Sequence, residues 1–179
     1  MTDSNGLTES DYRMLEQSWI PRQFADDAGI RRVSSIKGTQ IVGCNRPRNY
    51  AGIIFAHVFP EETQAREYLL RRDSPEIDPK SDGSFREKRK YPCAPGGRKH
   101  LYFPHGIKPE ALKDASIHVV IAEGEEKTLA LYLLAQWDTS GLRFLHVGLS
   151  GVWNWRGVNA SRNRGRKVKC EQSKARFLI

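Results

Sequence analysis

The sequence predicts an α/β fold whose central feature is a parallel βαβ unit, and three segments carry this prediction. Residues 117–121 form a dense apolar run of the kind found in strands that are buried on both faces. Residues 127–136 repeat leucine and alanine at helical spacing, and residues 142–147 form a second apolar run. Because strands joined through a helix pair in parallel with a right-handed crossover, these segments predict a βαβ unit.

Two short helices are predicted at the N-terminus. Thr8 is a suitable N-cap with Asp11 three residues later, and Leu15 and Trp19 then form an apolar stripe on the first helix. A second helix follows and ends at Gly29. Tandem helices also suggest a helix-turn-helix, but their acidic charge disfavours a DNA-reading helix, so packing against the remainder of the chain is favoured.

A small β-rich subdomain is predicted between these helices and the βαβ unit. Residues 51–59 are apolar and partly β-branched, and residues 67–73 are expected to pair with them as a hairpin. Residues 74–89 are rich in proline, glycine and charge, which predicts a long exposed loop. Residues 101–103 complete this region as a short strand.

The sequence accordingly divides into two helices in residues 1–30, the β-rich subdomain in 31–108, the βαβ core in 109–157 and a basic, loosely ordered tail in 158–179. The cysteines at 44, 93 and 170 are far apart and odd in number, which favours a reducing compartment over a disulfide framework. No apolar run approaches the roughly 20 residues of a membrane helix, and no signal-peptide pattern is present. We therefore expect a cytoplasmic protein without a membrane partner.

The formal net charge is +8, and it is unevenly distributed. Residues 1–30 contain two basic and six acidic side chains, a net charge of −4, whereas residues 156–179 contain eight basic and one acidic side chain, a net charge of +7. A basic segment of this kind suits a polyanion, of which nucleic acid is the common example. The alternative is a solvated tail that only keeps the protein soluble.

Glu123 is the candidate for chemistry, because it lies where the first strand of the βαβ unit ends and the helix begins. A carboxylate there can bind a divalent cation or act as a general acid or base, and Gly124 allows a tight turn beside it. Lys127 is spaced to reach a phosphate or to pair with Glu123, while Glu125 and Glu126 complement the positive end of the helix. The alternative for Glu123 is a surface carboxylate near a helix start.

The residues around Glu123 carry a resemblance to a known family. The segment 119–127, Val-Val-Ile-Ala-Glu-Gly-Glu-Glu-Lys, resembles the Glu-Gly motif of Toprim domains, the catalytic fold of bacterial primases and of type IA and type II topoisomerases. The resemblance implies a Toprim-like core of which this chain holds the first half, with the C-terminal half missing. An uncharacterised Toprim-like domain of phage and plasmid replication proteins is more closely similar, through four ordered segments at 90–97, 101–104, 123–127 and 148–155.

The resemblance also implies magnesium chemistry, with Glu123 as the catalytic and metal-binding carboxylate. In Toprim enzymes this glutamate works with a later Asp-x-Asp pair, because Mg²⁺ prefers several oxygen ligands. No Asp-x-Asp follows Glu123, and the later acidic residues are Glu125, Glu126, Asp138 and Glu171. We therefore expect Mg²⁺ only where the missing acidic residues are supplied from elsewhere.

Further residues are candidates for binding phosphate or bases. Glycines after the second strand suit a backbone nest, tryptophans beside an arginine can stack on single-stranded bases, and basic side chains can follow a phosphate backbone. The alternatives are core-capping tryptophans and solvated surface charges. The candidates are Lys127, Gly148, Gly151, Trp153, Trp155, Arg156, Lys88, Arg89, Lys90, Arg98, Lys99, Arg164, Arg166 and Lys167.

The resemblance and the charge together predict a nucleic-acid module of a mobile-element primase or replication protein. The expected partners are single-stranded nucleic acid and a helicase or the remainder of a primase. The alternatives are part of a magnesium-dependent nucleotidyl-transfer or strand-cleaving enzyme, and an inactive interaction fragment. Ser150 has no identifiable base in the sequence, and His57, His118 and His146 are expected to be structural.

Overall fold

The computed structural model describes residues 5–44, 48–92, 100–137 and 142–151, and these ranges form a mixed α/β fold. Within them, no helix has the length and apolar content that crossing a membrane requires. The helices are α1 (Glu9–Gln17), α2 (Arg22–Asp27), α3 (Ser35–Val42) and α4 (Glu125–Ala135), with a 3-10 helix at Pro109–Leu112. The strands are β1 (Arg31–Val33), β2 (Gly52–His57), β3 (Glu67–Arg72), β4 (Glu76–Pro79), β5 (Phe85–Lys88), β6 (Val119–Glu123) and β7 (Leu145–Leu149).

The predicted βαβ unit is confirmed. β6 and β7 pair in parallel, with Glu123 opposite Leu149, and α4 connects them. β7 is buried along its length, but alternate residues of β6 are exposed, and Val119 and Ile121 each keep 53% of their surface accessible. The prediction of a first strand buried on both faces is therefore wrong, because one face of β6 is open to solvent.

The predicted hairpin of residues 51–59 and 67–73 is also confirmed, as β2 and β3. These strands pair antiparallel with Phe55 opposite Leu69, and β1 adds to the other edge of β2. One core cluster contains side chains from the N-terminal helices, this sheet and α4, namely Leu15, Ile20, Ala25, Ile30, Ile53, Phe55, Leu69, Tyr102 and Leu129. The antiparallel sheet and the start of α4 are consequently held against each other by apolar packing.

The two N-terminal helices form as predicted, and α1 begins with a capping box. The backbone N–H of Asp11 donates to the Thr8 hydroxyl, and the Asp11 carboxylate accepts from the Thr8 backbone N–H at 2.7 Å. Arg32 of β1 also donates to Asp11 through Nε at 2.7 Å. Although burial disfavours the charged carboxylate, hydrogen bonds from Arg32 and Thr8 keep the pKa of Asp11 below its ordinary value.

Trp19 does not join the predicted apolar stripe of α1, because 83% of its surface is exposed whereas Leu15 is fully buried. The helix ends in a Schellman motif, in which the Trp19 N–H donates to the Glu16 carbonyl at 3.0 Å and the Ile20 N–H to the Leu15 carbonyl at 3.1 Å. Trp19 occupies the left-handed position of this motif, with a φ of 62°. Glycine is usual there, since a left-handed conformation costs another residue about 1–2 kcal/mol.

The sequence predicts strands and turns for the middle region, but the structure also contains a helix there. α3 begins after Ser34, whose hydroxyl accepts from the Lys37 N–H at 3.3 Å, and it ends at Gly43 in the left-handed conformation. Residues 74–89 are not a long loop, because β4 and β5 pair antiparallel across them. Residues 101–103 contribute one bridge, from Tyr102 to Gly148, rather than a strand.

Candidate functional site

A cleft of about 470 Å³ lies at the carboxyl edge of the parallel strand pair. In α/β sheets, ligands bind at this edge, because the loops that follow the strands meet there. The cleft combines the turn between β6 and α4 with the end of β7 and part of the antiparallel sheet. Its lining residues are Phe55, Leu69, Tyr91, Glu123, Gly124, Glu125, Glu126, Lys127, Ser150 and Gly151.

The turn into α4 exposes two of the predicted site residues. Gly124 has a φ of 95°, a backbone conformation that residues with a side chain rarely adopt. Its N–H donates to the Leu149 carbonyl at 2.9 Å. The turn therefore ties the ends of both parallel strands together. Glu123 and Lys127 flank it, and both side chains are exposed in the cleft.

Glu125 forms a buried network at the cleft that the sequence does not predict. Its side chain is buried rather than solvated at the helix start, and its Oε1 accepts two hydrogen bonds. The Ser150 hydroxyl donates to Oε1 at 2.8 Å, and His57 Nε2 lies 3.1 Å from the same oxygen. His57 is itself 2% exposed, and its Nδ1 has no hydrogen-bond partner among the described residues. We call these three residues the His57–Glu125–Ser150 network.

Glu126 is also paired within the chain. Its Oε1 lies 3.2 Å from Nε of Arg71 on β3, and its Oε2 accepts from the Ser18 hydroxyl at 3.3 Å. Tyr91 lines the cleft beside this pair, and burial, followed by the negative charge of Glu126, raises the pKa of its phenol. The carboxylates of Glu125 and Glu126 thus have partners, which leaves Glu123 and Lys127 as the exposed charged groups of the cleft lining.

The structure gives the two predicted phosphate-binding glycines other roles. Gly148 lies inside β7, and its N–H donates to the Tyr102 carbonyl at 2.8 Å. A Cβ at this position would lie 2.7 Å from Thr128 Oγ1, so the residue permits close packing. Gly151 lines the cleft, but its N–H donates to the Leu149 carbonyl at 2.8 Å. These N–H groups are used internally, and the predicted backbone nest does not form from them.

The predicted basic residues of the β4–β5 hairpin all face carboxylates. Lys88 Nζ lies 2.8 Å from Asp78, Arg89 Nη1 lies 3.8 Å from Glu76, and Lys90 Nζ lies 2.8 Å from Glu87. These basic side chains are 31–50% exposed, and ion pairs that solvent reaches contribute about 0–1 kcal/mol each. A polyanion could therefore displace these carboxylates at small cost.

The remaining predicted site residues lie outside the described part of the chain, and they are Arg98, Lys99, Trp153, Trp155, Arg156, Arg164, Arg166 and Lys167. The magnesium prediction concerns Glu123. Among the described residues, no group of three or more His, Cys, Asp or Glu side chains is arranged to hold a metal ion. The described donors therefore do not fit a protein-held Mg²⁺, and the cleft offers one exposed carboxylate to such an ion.

These features define an α/β protein with a polar cleft at the carboxyl edge of a parallel strand pair. Comparisons with protein-family models, with curated proteins and with solved structures found no match to the chain.

Proposed function

We propose that this chain is a Toprim-like, nucleic-acid-associated module of a mobile-element primase or replication protein, and that its cleft binds single-stranded nucleic acid. The proposal is supported by the strand–Glu123–Gly124–helix arrangement, which the Toprim-like segments lead one to expect. Glu123 ends β6, Gly124 turns the chain, and α4 starts at the next residue.

The observation that carries the proposal is the exposure of Lys127 in a cleft where two of the three carboxylates, those of Glu125 and Glu126, have partners within the chain. A phosphate cannot approach several unpaired carboxylates without strong repulsion. Glu125 is hydrogen-bonded to His57 and Ser150, and Glu126 is paired with Arg71. Lys127 therefore faces one exposed carboxylate, Glu123, and it remains able to contact a phosphate.

The start of α4 adds to this argument. The first N–H groups of a helix have no carbonyl partner inside the helix, and the helix dipole places partial positive charge there. In α4 the first N–H that bonds back along the chain is that of Thr128, which donates to the Gly124 carbonyl at 3.2 Å. The end of the helix that lines the cleft is thus its positive end.

Binding of a labelled oligothymidylate, measured by fluorescence anisotropy over a salt series, tests the proposal. Lys127→Ala should weaken binding and reduce the slope of log K against log salt concentration by about 1. Lys113→Ala is the matched control, because Lys113 is exposed and does not line the cleft. Absence of binding, or binding that does not respond to salt, would remove the proposal.

A second candidate function is part of a magnesium-dependent nucleotidyl-transfer or strand-cleaving enzyme whose further acidic residues come from another chain or segment. The exposed carboxylate of Glu123 at the cleft favours it. Calorimetric titration with Mg²⁺, in the presence of the oligothymidylate, should then give more heat with the wild type than with Glu123→Gln. Equal heats for the two proteins would remove this candidate.

A further inference from the structure

We propose that Trp19 is a base-stacking residue at the rim of the cleft, and that with Tyr91 it binds the unpaired bases of a single strand. This inference rests on the proposed function, because it names the part of the nucleic acid that the cleft recognises. Neither residue was among the sequence-predicted binding residues.

The conformation and exposure of Trp19 indicate that its side chain does not stabilise the fold. It occupies the left-handed position of the Schellman motif, where glycine fits without strain. Its ring is 83% exposed, so burial does not compensate for this strain. Strained residues of this kind concentrate at ligand-binding sites, where the side chain has a use outside the fold.

Trp19 follows in sequence a residue that contacts the cleft lining. The hydroxyl of the preceding residue, Ser18, donates to Glu126 at 3.3 Å, and Glu126 lines the cleft. The following residue, Ile20, is fully buried in the core. Since consecutive Cα atoms are about 3.8 Å apart, the Trp19 backbone is fixed between a cleft contact and a core contact.

Tyr91 supplies a second aromatic surface at the same site. It lines the cleft and is 44% exposed, and the carbonyl of the preceding Lys90 accepts from the Arg72 N–H at 2.9 Å. Both aromatic residues are thus held by neighbours that belong to the sheet or the core. A rigid aromatic ring loses little conformational entropy on binding, which favours stacking.

The charge beside Tyr91 favours nucleic acid over an apolar partner. Three basic residues, Lys88, Arg89 and Lys90, immediately precede Tyr91. Their ion pairs are solvent-exposed and therefore weak enough to be exchanged for phosphates. Aromatic surfaces interleaved with basic residues are the usual means of binding a single strand without sequence preference.

The test compares Trp19→Gly, Trp19→Phe and Trp137→Ala for binding to a labelled oligothymidylate of about twelve nucleotides. Trp19→Gly should weaken binding about 5- to 150-fold, the range expected for the loss of one base stack, while Trp19→Phe keeps most of the affinity. Trp137→Ala is the matched control, because Trp137 is 81% exposed but follows the opposite end of α4. It should bind like the wild type.

Two further measurements separate stacking from other causes. In urea denaturation, Trp19→Gly should unfold at the same or a higher midpoint than the wild type, since glycine relieves the left-handed strain. An abasic strand of equal length carries the phosphates without bases, so wild type and Trp19→Gly should bind it equally.

The outcomes distinguish this inference from the proposed function. Wild-type affinity of Trp19→Gly, together with weakening by Lys127→Ala, would overturn the stacking role and leave the proposed function in place. An equal loss of affinity for the abasic strand would also overturn it, because the contact would then not involve bases. Failure of the wild-type protein to bind any oligonucleotide would remove the proposed function itself.

Discussion

Replacing His57 with alanine should destabilise the fold by about 3–5 kcal/mol, because it removes a hydrogen bond to a buried carboxylate and leaves a cavity in the core. Glu125 is 4% exposed and accepts from His57 and Ser150 on the same oxygen. Without the imidazole, the Glu125 carboxylate remains buried, and Ser150 is the one donor of the His57–Glu125–Ser150 network that is left. Desolvation of the carboxylate is then poorly compensated.

The reverse replacement, Glu125→Ala, should cost less, about 2–3 kcal/mol. It deprives His57 Nε2 of its acceptor, in a ring whose Nδ1 has no partner within the described part of the chain. An unsatisfied buried polar group costs about 1–3 kcal/mol, to which lost packing adds. Glu125→Gln keeps an acceptor oxygen and should cost about 1 kcal/mol.

Urea denaturation of the two single variants and the double variant measures both effects. The free energy of unfolding of an ordinary domain is about 5–15 kcal/mol, so urea denaturation can measure losses of this size. The double variant should be more stable than the sum of the single losses implies, with a coupling of about 1–3 kcal/mol. Glu123→Ala is the control, because this exposed carboxylate lies two residues away and should change stability by less than about 0.5 kcal/mol.

Additive effects in this cycle would refute the reasoning, since they would mean that the two side chains do not sense each other. A loss for His57→Ala no larger than that for Glu123→Ala would be equally damaging. It would show that the Glu125 carboxylate finds solvent or another partner without cost.

Two further predictions concern β7. Gly148→Ala should lower stability by about 1–3 kcal/mol in urea, because the added Cβ would lie 2.7 Å from Thr128 Oγ1 and 2.9 Å from Tyr102 Cβ, and an unchanged midpoint would contradict this packing role. Burial lowers the pKa of His146 to about 4 from 6.5, so the unfolded chain binds the proton more readily and stability should decline as the pH falls from about 6.5 to 4, by at most about 3 kcal/mol. His146→Phe should flatten this part of the pH profile, and a profile identical to that of the wild type would show that another group is responsible.

The sequence was sufficient for elements that depend on neighbouring residues. The capping box of Thr8 and Asp11 is a local pattern, and it forms as predicted. The hairpin of β2 and β3 and the βαβ unit follow from apolar periodicity and from the residues between the segments. Helix capping and apolar periodicity are encoded over a few residues, which is why these predictions succeeded.

The missed helix shows where local pattern is insufficient. α3 contains Gly38 and β-branched residues, which lower its intrinsic helix propensity. The glycine is required by packing, because a Cβ there would lie 2.1 Å from the Tyr50 carbonyl oxygen. The helix is therefore stabilised by its close contact with the segment before β2, and no window of sequence around it contains that contact.

The hairpin of β4 and β5 was not predicted, for a different reason. Its strands show little apolar alternation, and Ile77 and Phe85 are both exposed, so no buried face marks them as strands. Cross-strand ion pairs such as that of Lys88 with Asp78 accompany the pairing instead. Charge composition alone does not distinguish such a ladder from a solvated loop.

The cleft shows the same division between local and tertiary information. Glu123 and Lys127 were predicted because a strand, a turn and a helix follow one another in sequence. The partner of Glu125 lies 68 residues away on β2, and no local signal joins them. The segment Glu-Gly-Glu-Glu reads as an acidic patch, which would repel phosphate.

The fold changes that reading, because it supplies partners for two of the three carboxylates. His57 and Ser150 hydrogen-bond to Glu125, and Arg71 faces Glu126, so both carboxylates are held by side chains from outside the motif. Removing Arg71 should therefore weaken oligonucleotide binding even if Arg71 never contacts a phosphate, since it would leave Glu126 uncompensated beside Lys127. Glu126→Gln in the same background should restore affinity by removing that charge. A loss of affinity that this second change does not recover would mean that Arg71 binds the nucleic acid directly.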